Sequence, residues 1–366
     1  MGKQQLVEIA KALSKNVRLL ILDEPTSSLN ESDSDKLLEL LMDFREKGLT
    51  SILISHKLNE VSKVADTITV LRDGATVARL TRDGGVDEND IVRNMVGRAL
   101  EDRYPPKGQG AVGDIAMEVK NWTVHHPLHP ERRVVDNVSF HLRRGEVLGI
   151  AGLMGAGRTE LAMSLFGRSY GRDISGEVLI DGRPADLSTV RRAINAGVAY
   201  ATEDRKTYGL ILDDTIRRNV PMANLSEISR RGVVDRHREA EVAQSYRDKL
   251  AIKSSSIEQA TVNLSGGNQQ KVVLSKWLFA DPDILILDEP TRGIDVGAKF
   301  EIYTVIRELT AQGKAIIVIS SELPELLGLT DRLYVMNEGR FVAEMPTSEA
   351  SQEKIMSKIV KSGEDA

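Results

Sequence analysis

The sequence predicts an α/β fold: a parallel sheet covered by helices on both faces, present in one partial and one complete copy. Three observations predict it. Short apolar runs alternate with helical stretches, the start of the chain recurs near its end at a constant offset, and one apolar run leads into a glycine-rich turn that opens a helix.

The apolar runs are Leu19–Leu22, Ser51–Ile54, Val147–Ala151, Ile284–Leu287 and Ala315–Ile319, with helical stretches such as Lys36–Lys47 and Lys299–Gln312 between them. Continuous apolar strands separated by helices fit a parallel sheet buried on both faces, because a half-solvated strand alternates instead. Further along, Met117-Glu118-Val119 reads as the first strand of the complete copy.

The recurrence sets the domain organisation. An ungapped offset of 265 lays Gly2 on Gly267, Gln4-Gln5 on Gln269-Gln270, and Asp23-Glu24-Pro25-Thr26 on Asp288-Glu289-Pro290-Thr291. It also pairs Gly48 with Gly313, Ser55 with Ser320, Glu60 with Glu325, Asp66 with Asp331 and Gly74 with Gly339. Chance gives single coincidences, not a series, so the chain is read as two copies of one domain. Residues 115–265 of the second copy have no counterpart in the first. The expected layout is a partial first domain over residues 1–98, a linker over 99–114, a complete second domain over 115–350 and a tail over 351–366. Glu101-Asp102-Arg103-Tyr104-Pro105-Pro106-Lys107-Gly108-Gln109-Gly110 is charged and rich in Pro and Gly, which suits the linker.

Composition narrows the function classes. The 366 residues are 41% hydrophobic and 28% charged, enough for sizeable cores under a soluble surface. A net charge of -5 with few aromatics gives no footprint for nucleic acid. There is no Cys, which excludes disulfides and thiolate zinc sites. No run nears the roughly 20 apolar residues of a membrane helix. Membrane contact is therefore expected through a partner, with the chain itself in the cytoplasm. His125, His126 and His129 cluster, but Pro127 and Pro130 make an irregular loop the simpler reading than a metal site.

Gly152-Leu153-Met154-Gly155-Ala156-Gly157-Arg158-Thr159 follows a strand and opens a helix. It fits G-x-x-x-x-G-K-[ST] except that Arg158 stands where Lys belongs. Its glycines let backbone N–H groups approach phosphates, the helix N-terminus adds positive potential, and Thr159 can reach Mg²⁺. A planar guanidinium fills the space over the phosphates differently from a flexible ammonium. Nucleotide binding without fast hydrolysis is the expectation. Two strands end in paired carboxylates, Asp23-Glu24 and Asp288-Glu289. The Asp suits a Mg²⁺ shell and the Glu can polarise an attacking water. Leu264-Ser265-Gly266-Gly267-Asn268-Gln269 precedes a helical pattern, and its Ser and glycines make a second anion cradle.

A P-loop, then L-S-G-G-x-Q, then a strand ending D-E-P-T, then a switch residue, together resemble the ABC ATPases. Gly152–Glu160, Thr202–Lys206 and Leu264–Lys271 are most similar to ATP-binding subunits of monosaccharide importers of the ribose, galactose, xylose and multiple-sugar type. In that family two cassettes share one polypeptide, and the second characteristically carries Arg in its P-loop. The resemblance implies P-loop NTPase cassettes with a helical subdomain, using ATP and Mg²⁺ to drive sugar import. It implies that Glu24 and Glu289 are catalytic, that Asp23, Asp288 and Thr159 hold Mg²⁺, and that His56 is a switch residue contacting the γ-phosphate. Ser321, at the position matching His56, cannot do that job. Glu203, Asp204 and Arg205 take the Q-loop position, where membrane subunits make coupling contacts. Asn30 and Asp295 are the D-loop residues. Implied partners are membrane permease subunits and, through them, a periplasmic sugar-binding protein, which places the chain peripherally on the cytoplasmic face of the inner membrane. ABC cassettes sandwich ATP between one copy's P-loop and the other's signature. Because the first copy here has no P-loop and keeps only Gly2 of its signature, poor hydrolysis is expected. Trp122 and His129 are candidates to stack on adenine, each more simply read as core or loop. A twin-cassette protein acting on ribosomes or DNA would want a basic linker and two intact P-loops, and a regulatory remnant would bind nucleotide without transport.

Overall fold

The computed structural model describes Val7, Lys11 and residues 17–26, 31–55, 57–72, 74–81, 90–91, 94, 104–106 and 112–364. The chain divides into two compact units, one of Met1–Asp102 and Asp295–Gly297, the other of Arg103–Ile294 and Ala298–Ala366.

In the first unit, β1 (Leu19–Asp23), α1 (Glu31–Glu46), β2 (Thr50–Ile54) and α2 (Leu58–Val64) precede a hairpin of β3 (Thr67–Arg72) and β4 (Ala75–Thr81). β1 and β2 pair in parallel, from Leu19 opposite Thr50 to Asp23 opposite Ile54. A parallel pair needs a crossover, and α1 supplies it. Leu20 and Leu22 on one face of β1 meet Leu37, Leu38 and Leu41 of α1 in a small core.

The second unit runs through β5 (Ile115–His125), β6 (Arg133–Arg143), β7 (Val147–Gly152), α3 (Arg158–Leu165), β8 (Arg172–Ile180), β9 (Arg183–Pro184) and β10 (Val198–Ala201). It continues with β11 (Ser229–Arg230), β12 (Val233–Val234), α4 (Gly266–Phe279), β13 (Ile284–Asp288) and α5 (Val296–Ala311), then β14 (Ala315–Ile319), α6 (Leu323–Leu329), β15 (Arg332–Asn337) and β16 (Arg340–Pro346). The central sheet has the order β10-β13-β14-β7-β15-β16. Its first five strands are parallel, and β13 and β14 are buried at every position, as their unbroken apolar runs predict. The sheet is nevertheless mixed, since β16 is antiparallel to β15. Glu338 and Gly339 both take positive φ, 46° and 80°, in the two-residue turn that sends the chain back. A second, antiparallel sheet, β6-β5-β8-β9, goes beyond the single strand read at Met117-Glu118-Val119. Helices Ile216–Asn219 and Arg236–Lys249 form a helical region ahead of α4.

Adding 265 to the bounds of β1, α1, β2, α2, β3 and β4 returns those of β13, α5, β14, α6, β15 and β16. The registers coincide too, down to a bulge between Val70 and Leu71 matched by one between Val335 and Met336. Both α1 and α5 begin ahead of the Lys36 and Lys299 starts expected from sequence.

The C-terminal segment is more than a tail, being a helix over Gln352–Glu364. Ile355 and Ile359, one turn apart, are buried, and the Lys354 N–H donates to Ser351 Oγ (3.2 Å) as a cap. Residues 365–366 lie outside the described ones. Within the linker, the Tyr104 ring packs against that of Tyr303, centroids 5.3 Å apart and planes tilted by 32°. A Cβ at Gly328 would fall 2.2 Å from Tyr104 Cδ2, so the ring occupies the space a side chain would need. No helix among the described residues is long and apolar enough to cross a membrane.

Candidate functional site

β7 delivers the chain to the glycine turn at the C-terminal edge of the central sheet. A Cβ at Gly152 would lie 2.5 Å from the Met336 carbonyl oxygen. Gly157 sits at φ 100°, and its Cβ would lie 2.4 Å from the Val134 carbonyl. Both positions therefore exclude a side chain for steric reasons. Between them Gly155 also has positive φ, Ala156 is buried, and Leu153 and Met154 stand exposed at the crown.

Arg158 opens α3 and turns inward. Its Nη1 donates to the Ser320 carbonyl (2.6 Å), and Nη2 lies 3.6 Å from Glu289 Oε1. Ser321 Oγ donates to Glu289 Oε2 (3.0 Å), so the P-loop arginine and the switch-position serine hold the same carboxylate. Burial raises the Glu289 pKa to about 7, with Arg158 and Ser321 opposing that shift. Burial also lowers the Arg158 pKa. The backbone of Glu289 takes φ 47° and its N–H donates to Ile319 O (2.8 Å), which fixes the turn at the end of β13.

Asp288 is fully buried. Its Oδ2 accepts from the Tyr200 hydroxyl (2.9 Å), while Oδ1 has no hydrogen-bond partner. Burial raises its pKa against the pull of Thr159, Tyr200 and Arg158. A buried carboxylate oxygen without a partner, beside the Thr159 hydroxyl, is a donor set that fits a hard divalent cation.

The signature residues begin α4. Ser265 caps the helix, its Oγ accepting from the Asn268 N–H (3.5 Å) and Nδ2 (2.9 Å). Leu264 and Gly267 are buried beside it, and Gln269 Nε2 donates to Thr261 O (3.1 Å). Gly266 packs so closely that a Cβ would meet Arg205 Nη2 at 2.8 Å and Gly293 O at 2.9 Å. Arg205 also donates to Arg292 O (3.0 Å) and Gln269 Oε1 (3.4 Å), joining the expected Q-loop to the signature and to the start of the D-loop. Glu203 is ion-paired with Arg292, so its charge is compensated. Asp204 caps the turn Arg205–Gly209 by accepting from the Lys206 and Thr207 N–H groups, and the Thr207 hydroxyl first, then those N–H bonds, lower its pKa against burial. That turn is π-helical, a form that recurs at functional sites. Asp295 is exposed just ahead of α5.

In the first unit Asp23 and Glu24 end β1 as exposed residues. Glu24 repeats the backbone of Glu289, with φ 45° and its N–H on Ile54 O (2.8 Å). His56, Asn30 and Gly2 lie outside the described residues. Of the adenine candidates, Trp122 is buried with Nε1 donating to Ser164 Oγ (2.9 Å), and the exposed His129 ring lies 5.1 Å from that of His126 in a surface loop. Among the described residues no group of three or more His, Asp or Glu side chains, the loop of His125, His126 and His129 included, is gathered as a metal cluster. Tyr200 and Arg292 join the site without any sequence signal, since neither falls in a phosphate-binding pattern.

Residues 135–292 match the family described as ABC transporter. The chain is 58% identical over 361 residues to the L-arabinose transport ATP-binding protein AraG of Geobacillus stearothermophilus, covering 98% of itself and 70% of that protein. It is 51% identical to the xylose import ATP-binding protein XylG of Thermoanaerobacter pseudethanolicus and 46% to the ribose import ATP-binding protein RbsA of Bacillus subtilis, each over 355 residues, 97% of the chain and 70% of the relative. Among solved structures, a nucleotide-free ATP-binding cassette from an ABC transporter superposes with a TM-score of 0.55 at 19% identity, over 68% of this chain and 96% of that one. A dimeric post-hydrolysis cassette bound to ADP and phosphate gives 0.55 at 21%, over 63% and 98%. These likenesses concern the fold alone.

Proposed function

We propose that this chain, which belongs to the family of ABC transporter ATP-binding subunits of sugar importers, couples ATP binding and hydrolysis to import of a monosaccharide across the bacterial inner membrane. One observation carries the reading: at the foot of the P-loop, Thr159 adjoins a buried Asp288 whose Oδ1 has no partner. Mg²⁺, when bound, would neutralise charge on the transferring phosphates. Asp288 and Thr159 would hold it in the second unit, and Asp23 takes the place of Asp288 in the first.

The turn Gly152–Thr159 binds the phosphates through backbone N–H groups and the N-terminus of α3. Glu289 stands where an attacking water is polarised, but Arg158 and Ser321 already hold it, and a pKa of about 7 leaves much of it protonated near neutrality. This site therefore retains nucleotide and hydrolyses it slowly. The complete cassette spans residues 115–350. Residues 1–98 are the C-terminal part of a first cassette, with Glu24 and His56 as its catalytic pair and Asn30 in its D-loop. Signature residues Ser265, Gly266 and Gly267 present N–H groups to a second nucleotide. The turn at Glu203, Asp204 and Arg205 receives the permease subunits, which in turn meet a periplasmic sugar-binding protein, and the chain sits peripherally on the cytoplasmic face.

Binding of a fluorescent ATP analogue with Mg²⁺, followed alongside phosphate release, tests this. The expected result is binding that Gly157→Val abolishes, with phosphate release far slower than in the full-length relatives. Binding indifferent to Gly157→Val, or turnover equal to those relatives, would overturn it.

A further inference from the structure

The outer face of the antiparallel sheet carries a cleft that the nucleotide site does not use. It lies between β5, β6, β8 and the start of β16, with a volume of about 710 Å³, in the range of small-molecule sites. At its rim two arginines converge on one acid. Arg133 Nη1 donates to Asp136 Oδ1 (2.9 Å), and Arg340 donates to Oδ2 from Nε (2.9 Å) and Nη2 (2.5 Å). Burial acts to raise the Asp136 pKa, but the two guanidiniums outweigh it and hold the carboxyl below its ordinary value. Two cations on one anion leave a net positive charge. Both arginine side chains are more than half exposed, at 55% and 68%, so N–H groups remain for a further acceptor.

The floor is hydroxylic. Thr123 Oγ1 accepts the Asn137 N–H (3.1 Å) and Ser139 Oγ accepts the Asn121 N–H (2.9 Å). A hydroxyl engaged as acceptor keeps its own proton to donate. Ser175 adds a third hydroxyl, and the Phe341 ring, stacked 4.6 Å from Tyr334, gives an apolar wall.

We infer that this cleft binds a phosphorylated polyhydroxy metabolite, its phosphate on the Arg133–Arg340 pair and its hydroxyls on the Ser and Thr floor. Arginine pairs suit phosphate because the guanidinium fork matches its oxygens. The cleft also backs onto the P-loop. The Asp136 N–H donates to Gly339 O (2.8 Å), and a Cβ at Gly157 would meet Val134 O at 2.4 Å and Gly339 Cα at 3.3 Å. A ligand drawing Arg133 and Arg340 together stiffens the wall behind Gly157, so the two sites alter each other's affinity by one common factor. This coupling rests on the P-loop being the nucleotide site; occupancy of the cleft does not.

Calorimetric titration of the full chain with ribose 5-phosphate, with and without a saturating non-hydrolysable ATP analogue and Mg²⁺, tests it. Ribose and inorganic phosphate are the controls. Expected is binding of the ester that survives saturation with nucleotide and exceeds both controls. It should weaken at least about tenfold in Arg340→Ala, as loss of a charge-assisted contact requires. Ser175→Glu, which removes no partnered side chain, should abolish it even if Arg340→Ala perturbs the fold. No binding at millimolar ester, full competition by the analogue, unchanged affinity in both variants, or inorganic phosphate binding as tightly as the ester would each overturn the cleft assignment. Ester binding with identical affinity in both nucleotide states overturns the coupling. A chain that binds ester but no nucleotide would sink the proposed function and leave the cleft standing.

Discussion

Residues 19–81 and 284–346 form the same six elements with the same registers, yet bury them differently. Ile21 is 60% exposed where Ile286 is 1% exposed, and Ile54 is 50% exposed where Ile319 is 1%. On the other face of β1, Leu20 and Leu22 are buried like their counterparts Leu285 and Leu287: Leu37, Leu38 and Leu41 of α1 share their core, as Ile302, Tyr303 and Ile306 of α5 share that of β13. β13 and β14 lie between β10 and β7, whereas among the described residues β1 pairs with β2 alone. The contrast separates two causes. Apolar runs, a crossover helix and turn chemistry set each element and its pairing; adjoining strands and layers set what becomes core.

The largest test of that contrast is a matched truncation. Ile286→Ala should lower unfolding free energy by about 2–5 kcal/mol, as a fully buried aliphatic does, while Ile21→Ala stays within about 0.5 kcal/mol. Equal losses in urea denaturation would break the comparison. Next comes Glu289→Gln. The folded pKa of Glu289, about 7, lies above the ordinary 4.5, so the fold favours the neutral acid. Its ionisation opposes folding increasingly as pH rises from 4.5 through 7. The variant should therefore gain stability at pH 8 and none at pH 4, by at most about 3–4 kcal/mol, the difference 7 − 4.5 taken at about 1.36 kcal/mol per unit. A flat difference in melting temperature across that range would show that the buried carboxyl is not under strain.

A third pair should behave alike. Thr26 Oγ1 donates to Glu60 Oε2 (2.6 Å) and Thr291 Oγ1 to Glu325 Oε1 (2.7 Å), both buried. Thr26→Val and Thr291→Val should each cost about 1–3 kcal/mol by stranding an acceptor. The smallest effect sharpens the likeness: Gly48 and Gly313 have φ of 87° and 86°, and a Cβ at either would meet nothing within 4 Å. Ala at either costs about 1 kcal/mol from the left-handed backbone alone, and the two values should agree within about 0.5 kcal/mol.

The strands of the central sheet, the 265-residue offset, the glycine turn that opens α3 and the Ser265 cap of α4 are readable because each is written in consecutive residues or in an exact offset. What escapes the sequence depends on distant partners. Arg158 reads as a phosphate ligand, but its acceptor at Ser320 lies 162 positions away and draws it to Glu289. Glu203 falls at the expected Q-loop position, and its partner Arg292 lies 89 positions on, beyond any local pattern. The antiparallel sheet leaves a weak signal, since β5 and β6 carry polar residues on an outer face that periodicity alone does not tie to one sheet. In the C-terminal helix Ile355 and Ile359 mark the buried side among the described residues, a stripe that takes its partners from the core rather than from its own helix.

The wedge of Tyr104 against Gly328 has a consequence for descent rather than for chemistry. No mutation can give position 328 even a methyl group while the ring stays where it is, at 2.2 Å from a Cβ. Shrinking Tyr104 first would instead open a hollow beside Tyr303. The two positions are thus tied in inheritance, and in any lineage where 328 has become Ala or Ser, position 104 should have lost its ring as well.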